Sequence, residues 1–439
     1  MPERSTTRIG LSYGGVAAIK DMALWRQLRS PGSALLLLTT ALCLIRANSQ
    51  PGLDVRLRGT TATVVPGDVA LLALFILCVA SVARHGLVRS SRAAACAATA
   101  FCALVVITGA TNGSAPLVAS VKVVELAVLA LGALVLVRTR EQLEAMVDVL
   151  VLFTIAADAL GLVKFVQAGG GRQSSFLGEH DFAALATLPL LYGLILVFEG
   201  RRTMRAAVCI VAGSIGCILG AALASLLGLY LGALAIAFAI VRRGDLRYRP
   251  AAVTLATLAV VTAGTLTLRS GDFGFLQAWF GKPEQRPGQY AASWSQRLIF
   301  TYIDGRVFLG HPLLGTGWYP LLPPHEFARY LPAAKRRFSD QPTRYFPSSA
   351  KPLIPQQTFD QVPAELGLVG SVVFLVLLAG VARAAVRAAR GSPLAVAWFV
   401  SILGAIAGEA LFGGTPLTAE FWLVIGLALA LGRGLDLVR

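Results

Sequence analysis

Charge is scarce in this chain. Asp, Glu, Lys and Arg make up only 14% of its 439 residues, against about 25% in soluble globular proteins. Apolar residues make up 56% and the mean hydropathy is +0.70. That shortage excludes a cytosolic or secreted enzyme, and the high apolar content excludes disorder. Histidine is almost missing. His85, His180, His311 and His325 are the whole supply, and none has an HxxxH or HExxH partner, so no metal is expected. The six cysteines, at 43, 78, 96, 102, 209 and 217, lie within or beside apolar runs and form no CxxC. They read as small core residues. There is no DxD pair, no Walker loop and no GxGxxG behind a strand, and GGGR at 169–172 follows an apolar run and merely turns the chain. Nothing here cradles a nucleotide, and no cofactor is expected. The polar, basic N-terminal stretch lacks the layout of a signal peptide.

Long apolar runs are what the chain does have. They fall at roughly 33–46, 64–83, 93–112, 115–137, 145–167, 181–198, 205–222, 224–241, 251–268, 366–382, 393–412 and 418–432. About twelve spans of this kind define an all-α, polytopic membrane protein. The runs are continuous and do not alternate, which excludes an outer-membrane barrel. The net charge of +16 and the pI near 10.2 fit cytoplasmic loops rich in Lys and Arg better than a nucleic-acid partner. Arginines follow spans two, four, six, eight and ten, whereas the connections after spans three, seven and eleven hold no Lys or Arg. This alternation predicts a multi-pass protein of the plasma (inner) membrane with both termini cytoplasmic. Arg46, Arg56 and Arg58 depart from it in the first outer connection.

The domain layout follows. Residues 1–32 are a cytoplasmic tail, 33–268 hold spans one to nine, 269–360 form a large outer loop domain, and 361–439 hold spans ten to twelve with a short cytoplasmic tail. The loop between spans nine and ten is too long for a simple connection. It carries 17 of the 36 aromatic residues, 11 of the 21 prolines and a charge of +5. Within it, SWSQRLIFTYIDGRVF at 293–308 predicts an amphipathic helix with Trp294, Ile299 and Ile303 near one stripe. A basic, aromatic, proline-stiffened domain on a membrane bundle reads as a substrate-handling element, the alternative being a rigid cap.

Two constellations stand out. Lys122 and Glu125 lie three apart in span four, on one helix face, as a proton or ion relay or as an ion pair that fixes the helix. The pair is favoured, since no other span contributes a matching charge. After span five, Arg172, Glu179, His180 and Asp181 gather at the outer mouth of the bundle. There they would bind an anionic head group and move a proton, or anchor the chain at the interface.

RLIFTYIDGRVFLGHPLLGTGWYPLL at 297–322 resembles the signature outer-loop segment of the O-antigen ligase superfamily, an Arg followed by an amphipathic stretch and an hPllGxG turn. QQTFDQVPAELGLVGSVVFLVLL at 356–378 is similar to the family segment that enters the next span with AExGxxG, and RQSSFLGEHDFAALATLPLL at 172–191 to its segment at the mouth of span six. The resemblance implies a membrane glycosyltransferase fold of the C type. It also implies transfer of a glycan from a polyprenyl diphosphate carrier to a glycan, lipid or protein acceptor, without metal or nucleotide. Such transfer needs cations for the departing diphosphate, a base for the acceptor hydroxyl and a lateral groove for the isoprenoid tail. Arg172, Arg297 and Glu365 are the retained family matches, with His180, Asp181 and Asp360 as candidates for the base. Gln356, Gln357, His311, Trp318 and Arg306 are the candidate substrate contacts.

Two departures accompany the resemblance. Gln356 and Gln357 stand where the family commonly has His-Asn, and glutamine cannot act as a base. Ser225 is followed by Leu226 where ligases tend to carry Ser-Arg. Two rival readings are a transporter or flippase of the lipid-linked glycan, which predicts discontinuous helices and charges at the bilayer midplane, and a non-catalytic scaffold that binds the same lipid.

Overall fold

Apolar runs of this length satisfy their backbone amides in hydrocarbon by folding as helices. A computed structural model describes residues 23–57, 59–87, 89–200, 203–244, 247–270, 289–319, 322–350, 352–353, 358–389 and 418–432. It begins with a short turn of helix at Ala23–Gln27, followed by α1 (Pro31–Leu44), a hairpin of β1 (Leu53–Leu57) and β2 (Thr60–Val64), α2 (Pro66–His85) and α3 (Arg89–Thr111). Next come α4 (Ser114–Leu136), α5 (Arg140–Gln167), α6 (Glu179–Glu199), α7 (Thr203–Gly220), α8 (Leu223–Arg243) and α9 (Tyr248–Leu268). The chain then forms α10 (Gln289–Gly310), several short helical turns, α11 (Thr358–Ala389) and α12 (Ala419–Leu431). Seven of these helices, α2 to α6, α9 and α11, are long and apolar enough to cross a membrane, and α1, α7, α8 and α12 are shorter apolar helices. The chain is a helical, membrane-embedded protein. The apolar run at 393–412 lies outside the described residues.

The described residues are otherwise helical and agree with the all-α expectation, beside one small hairpin. Residues 53–64 pair as an antiparallel hairpin, with Leu53 opposite Val64 and Leu57 opposite Thr60. Its turn uses Gly59 at φ +86°, a conformation glycine adopts without strain. The stretch LDVRLRGTTATV is rich in β-branched residues and has a glycine at its centre, a hairpin pattern on a scale much shorter than the membrane runs.

Helix ends follow local chemistry. Gln142 N donates to Thr139 Oγ1 at 3.3 Å, while Thr139 N donates back to Gln142 Oε1 at 3.1 Å, a capping box that starts α5. Gly200 closes α6 in the left-handed region. In packing, the outlying α9 is largely exposed, whereas α6 is the central helix, buried along most of its length. It lies so close to α7 that a Cβ on Gly213 would stand 2.6 Å from the Ala186 carbonyl oxygen. An aromatic knot of Phe101, Phe374, Phe421 and Trp422 joins α3, α11 and α12, with the Phe101 and Phe374 rings 5.5 Å apart. At the end of the bundle where α5 starts, Arg205 binds Asp148 at 2.5 Å and Glu144 at 3.3 Å, and Arg140 binds Glu144 at 3.0 Å. Removing one partner of such a buried pair costs about 3–5 kcal/mol.

The opposite end carries the hairpin and a small domain built on α10. The domain has its own apolar core, in which Ile299, Phe300, Ile303 and Val307 of α10 meet Leu322, Phe327, Tyr345, Phe346 and Leu353. Ile299 and Ile303 are fully buried, each worth about 1.5–3 kcal/mol relative to exposure. The start of α11 belongs to both units, since Ala364 packs into the domain core and Leu366 into the bundle. At Gly367, φ +63°, the helix kinks. Leu368 N and Val369 N then donate to Pro312 O at 2.8 Å and Leu313 O at 3.1 Å, while Thr316 N and Gly317 N donate to Ala364 O and Glu365 O. The two family-like motifs, HPLLGTG and AELGLVG, thus close on each other through their backbones.

Candidate functional site

The site is assembled around the turn between α7 and α8, where Ala221 adopts φ +44° and the helix carbonyls need outside donors. Gln173 N donates to Leu219 O at 2.8 Å, Arg172 Nε to Gly220 O at 3.3 Å and an Arg269 guanidinium nitrogen to Ala221 O at 2.9 Å. The connection after α5 reaches this turn because Gly169, Gly170 and Gly171 all take positive φ and reverse the chain, as the GGGR run predicts. Ser175 pins it, donating from Oγ to Ala157 O at 2.7 Å and accepting from Lys164 at its carbonyl.

His180 opens α6 beside this turn. The charges of Arg172, Arg297 and Arg269 all act on its imidazole, together with Asp181. Three guanidinium groups, from the connection after α5, the end of α9 and the third turn of α10, thus lie near enough for their charges to act on one half-buried histidine. Arg46 joins them from the first connection and binds Asp181 at 2.9 Å. Its guanidinium lies directly on Gly178, where a Cβ would stand 1.8 Å from one of its nitrogens. The arginine that departs from the charge alternation is thus committed to the site.

Arg297, Thr301 and Asp304 are spaced along one stripe of α10, and the stripe faces the first turns of α11. Thr301 Oγ1 donates to Asp360 Oδ2 at 2.6 Å. Asp304 is buried and neither carboxylate oxygen has a hydrogen-bond partner. Burial, reinforced by the charge of Asp360, holds its carboxyl well above the usual carboxylate range. Asp304 therefore does not hold Arg297 as an ion-pair partner. Glu365 is fully buried, and its side chain accepts from Tyr319 N at 3.1 Å and from Gln361 Nε2 at 3.3 Å. That geometry gives it a positioning task in the 311–319 turn.

The remaining candidates lie in other surroundings. His311 is bonded to Arg329 at 2.9 Å and faces Glu326. Trp318 is wholly enclosed in the bundle core, and its backbone N–H donates to Thr108 Oγ1 at 3.2 Å. Arg306 is exposed and lies over the Tyr302 ring. Gln356 and Gln357 lie outside the described residues, as does the side chain of Glu179. Lys122 corrects the expectation that no other span offers a matching charge. Its Nζ lies 2.6 Å from Asp68 at the start of α2 and 2.9 Å from Glu125. Asp68 also accepts from Val65 N at 2.9 Å, the role of an acidic residue in a first helical turn.

Two hollows adjoin this end of the bundle. A cavity of about 290 Å³ lies among α1, α2, α4 and the starts of α6 and α12, and a groove of about 970 Å³ runs between α2 and α4. They share Asp68, Leu71, Lys122 and Glu125. Among the described residues, no group of three or more His, Cys, Asp and Glu side chains is placed to hold a metal ion.

Sequence reasoning gave no site role to Arg269, which reaches the α7–α8 turn, or to Arg46, Asp68 and Glu420, which line the cavity. Arg46, Arg269 and Glu420 stand within two residues of an apolar run's edge and Asp68 about one turn inside its run, where charged residues usually anchor a span at the interface. No family model matches the chain, and neither does any curated protein.

Proposed function

We propose that this protein is an O-antigen-ligase-like glycosyltransferase. It moves a glycan from a polyprenyl diphosphate carrier to an acceptor hydroxyl at the outer face of the plasma membrane. The observation that carries this reading is the meeting of Arg172, Arg269 and Arg297 around His180. Guanidinium groups bind phosphate oxygens bidentately and keep their charge at any working pH. Their natural partner is a diphosphate, and none of the three neighbours each other in sequence. Arg269 brings a cation to the α7–α8 turn, close to the place where Leu226 follows Ser225 and the family's arginine is missing.

The reaction balances as follows. The acceptor oxygen attacks the anomeric carbon of the donor, and its proton passes to the His180 imidazole. The bond from that carbon to the diphosphate oxygen breaks, and the electron pair leaves with the diphosphate. The arginines stabilise the charge that develops there, an electrostatic contribution of about 3–4 kcal/mol per well-placed donor. His180 is preferred as the base because Asp181 is already held by Arg46 and Asp360 by Thr301.

A second reading, a flippase of the same lipid, draws on Asp158, buried midway along α5 with one carboxylate oxygen lacking a hydrogen-bond partner. One experiment separates the two. The full chain in nanodiscs is given a polyprenyl-diphosphate glycan and an acceptor, and release of polyprenyl diphosphate is followed. Release that Arg297→Ala abolishes supports the transferase. Translocation in vesicles with no release supports the flippase and removes the enzyme.

A further inference from the structure

Three leucines beside the kink of α11 are turned outward. Leu309, near the end of α10, and Leu313 and Leu314, in the HPLLGTG turn, are 67%, 66% and 58% exposed. Single exposed leucines are ordinary on a protein surface, whereas three between positions 309 and 314 make a patch that calls for a partner. The turn that carries them is firmly held. Gly315 N donates to His311 O at 3.0 Å, and Thr316 N and Gly317 N donate to Ala364 O and Glu365 O. Gly315, at φ +66°, lies so close to α11 that a Cβ there would collide with the Glu365 backbone. The backbone itself therefore holds the leucines out.

What the patch adjoins identifies its partner. Pro312 O and Leu313 O accept from Leu368 N and Val369 N, so the turn is stitched to the first residues of α11 beyond the kink. From there Leu368, Val369, Val372, Leu375 and Val376 are all exposed at helical spacing. They form the lipid-facing stripe of a helix long and apolar enough to cross a membrane. That stripe is short. From Leu368 to Ala382, ahead of the exposed Arg383, it has fifteen residues, or about 22 Å of helix, against a hydrocarbon core of about 30 Å. The residues just before the kink do not extend it, because Ala364 packs into the domain core and Glu365 and Leu366 are fully buried. The leucine turn stands where the missing layer belongs. Arg329 borders it, bonded to His311 at 2.9 Å and lying 4.7 Å over the Tyr330 ring. Such side chains keep an apolar body near the hydrocarbon and a polar tip at headgroup level.

We propose that the HPLLGTG turn and the end of α10 dip into the lipid leaflet on the domain's side, where acyl chains cover Leu309, Leu313 and Leu314. The partner is the hydrocarbon of a phospholipid bilayer. The turn completes the apolar height that α11 lacks, and it sets the small domain at a fixed depth. This assignment is independent of the reaction and of which face of the membrane carries the domain.

The test uses the full wild-type chain in phosphatidylcholine nanodiscs in which a fraction of the acyl chains carries a diazirine. Crosslinks are mapped by mass spectrometry after illumination. Residues 309–314 are expected to be labelled comparably to residues 368–376. They should exceed residues 340–350, the aqueous reference, by at least about tenfold, the ratio that about 1.4 kcal/mol of transfer gives. Leu313→Asp combined with Leu314→Asp should abolish labelling of 309–314 and leave that of 368–376 in place, since neither leucine belongs to a buried core. If the double variant fails to assemble, the wild-type pattern decides alone. Labelling of 368–376 without 309–314 overturns the proposal, whether water or a second copy of the chain covers the turn. Labelling that persists in the double variant overturns it as well, because the probe would then be reporting contact that does not depend on the leucines.

Discussion

Thr301 donates a 2.6 Å hydrogen bond to Asp360 and so fastens the helix that carries Arg297 to the helix that enters the bundle. One turn further along α10, Asp304 faces the same helix with no hydrogen-bond partner for its carboxylate. The Thr301 contact opposes whatever separation a charged Asp304 drives. Thr301→Val should lower thermal stability by about 1.5–3 kcal/mol, the range for a hydrogen bond to a charged group.

Asp304 gives the domain a pH dependence of definite sign. Its carboxyl is held above the ordinary value by burial and by Asp360, so the folded chain keeps a proton that the unfolded chain releases near pH 3.9. The favourable contribution is complete below that value and is lost as pH rises through the raised native value. Melting temperature should therefore fall from mildly acidic to alkaline pH in the wild type. Asp304→Asn should flatten the fall and stabilise the protein most at high pH. An unchanged slope would show that Asp304 has another source of relief.

The arginines differ in what their loss should do. Arg297→Ala and Arg297→Lys should each reduce glycan transfer by two to three decades, the range for a lost transition-state contact. Arg269→Lys should behave likewise while also weakening the α7–α8 turn. Arg306→Ala, whose guanidinium lies over Tyr302 on an exposed face, should transfer at close to the wild-type rate. Full turnover by Arg297→Lys would remove the diphosphate assignment. Treatment with a metal chelator should leave transfer unchanged in all of them.

Gly178→Ala tests the fit between the first connection and α6. Gly178 sits at φ +136°, and the added methyl group would collide with the Arg46 guanidinium. The expected result is a loss of more than about 1 kcal/mol of stability, together with release of Arg46 from Asp181. Pairing the change with Arg46→Ala should recover the steric part of the loss and leave the backbone strain.

Orientation is open to direct measurement. In a Cys96→Ala background, a cysteine at Ser348 in the domain should react with an impermeant thiol reagent applied to cells with a permeabilised outer envelope. A cysteine at Tyr248, exposed at the other end of the bundle, should stay protected. The reverse pattern would invert the assigned sides.

Much of this architecture is readable from composition, because helix formation in an apolar chain is forced by backbone hydrogen bonding. Among the described residues every apolar run, eleven of the twelve, coincides with a helix, and Ile299 and Ile303 are buried as their spacing predicts. Arg172, His180 and Arg297 are recognisable one at a time, and the fold brings them together. Other features required three dimensions. The partnership of Lys122 with Asp68 joins two helices across 54 positions, a distance that no periodicity measures. Trp318 reads in the sequence as a candidate substrate contact, and in the fold it is buried in the bundle core. Glu365 looks like a catalytic carboxylate, yet it answers a backbone N–H.

The kink at Gly367 has a consequence for how the protein is divided. Beyond it, Leu368 N and Val369 N have lost their helical acceptors and use Pro312 O and Leu313 O instead. Those carbonyls belong to the domain, not to the bundle. Excising residues 289–353 would strand two amides at the lip of the membrane, where an unsatisfied polar group costs several kcal/mol. The domain is no detachable module, and a chimera that exchanges it for a foreign loop must supply two carbonyls in the same place to keep α11 intact.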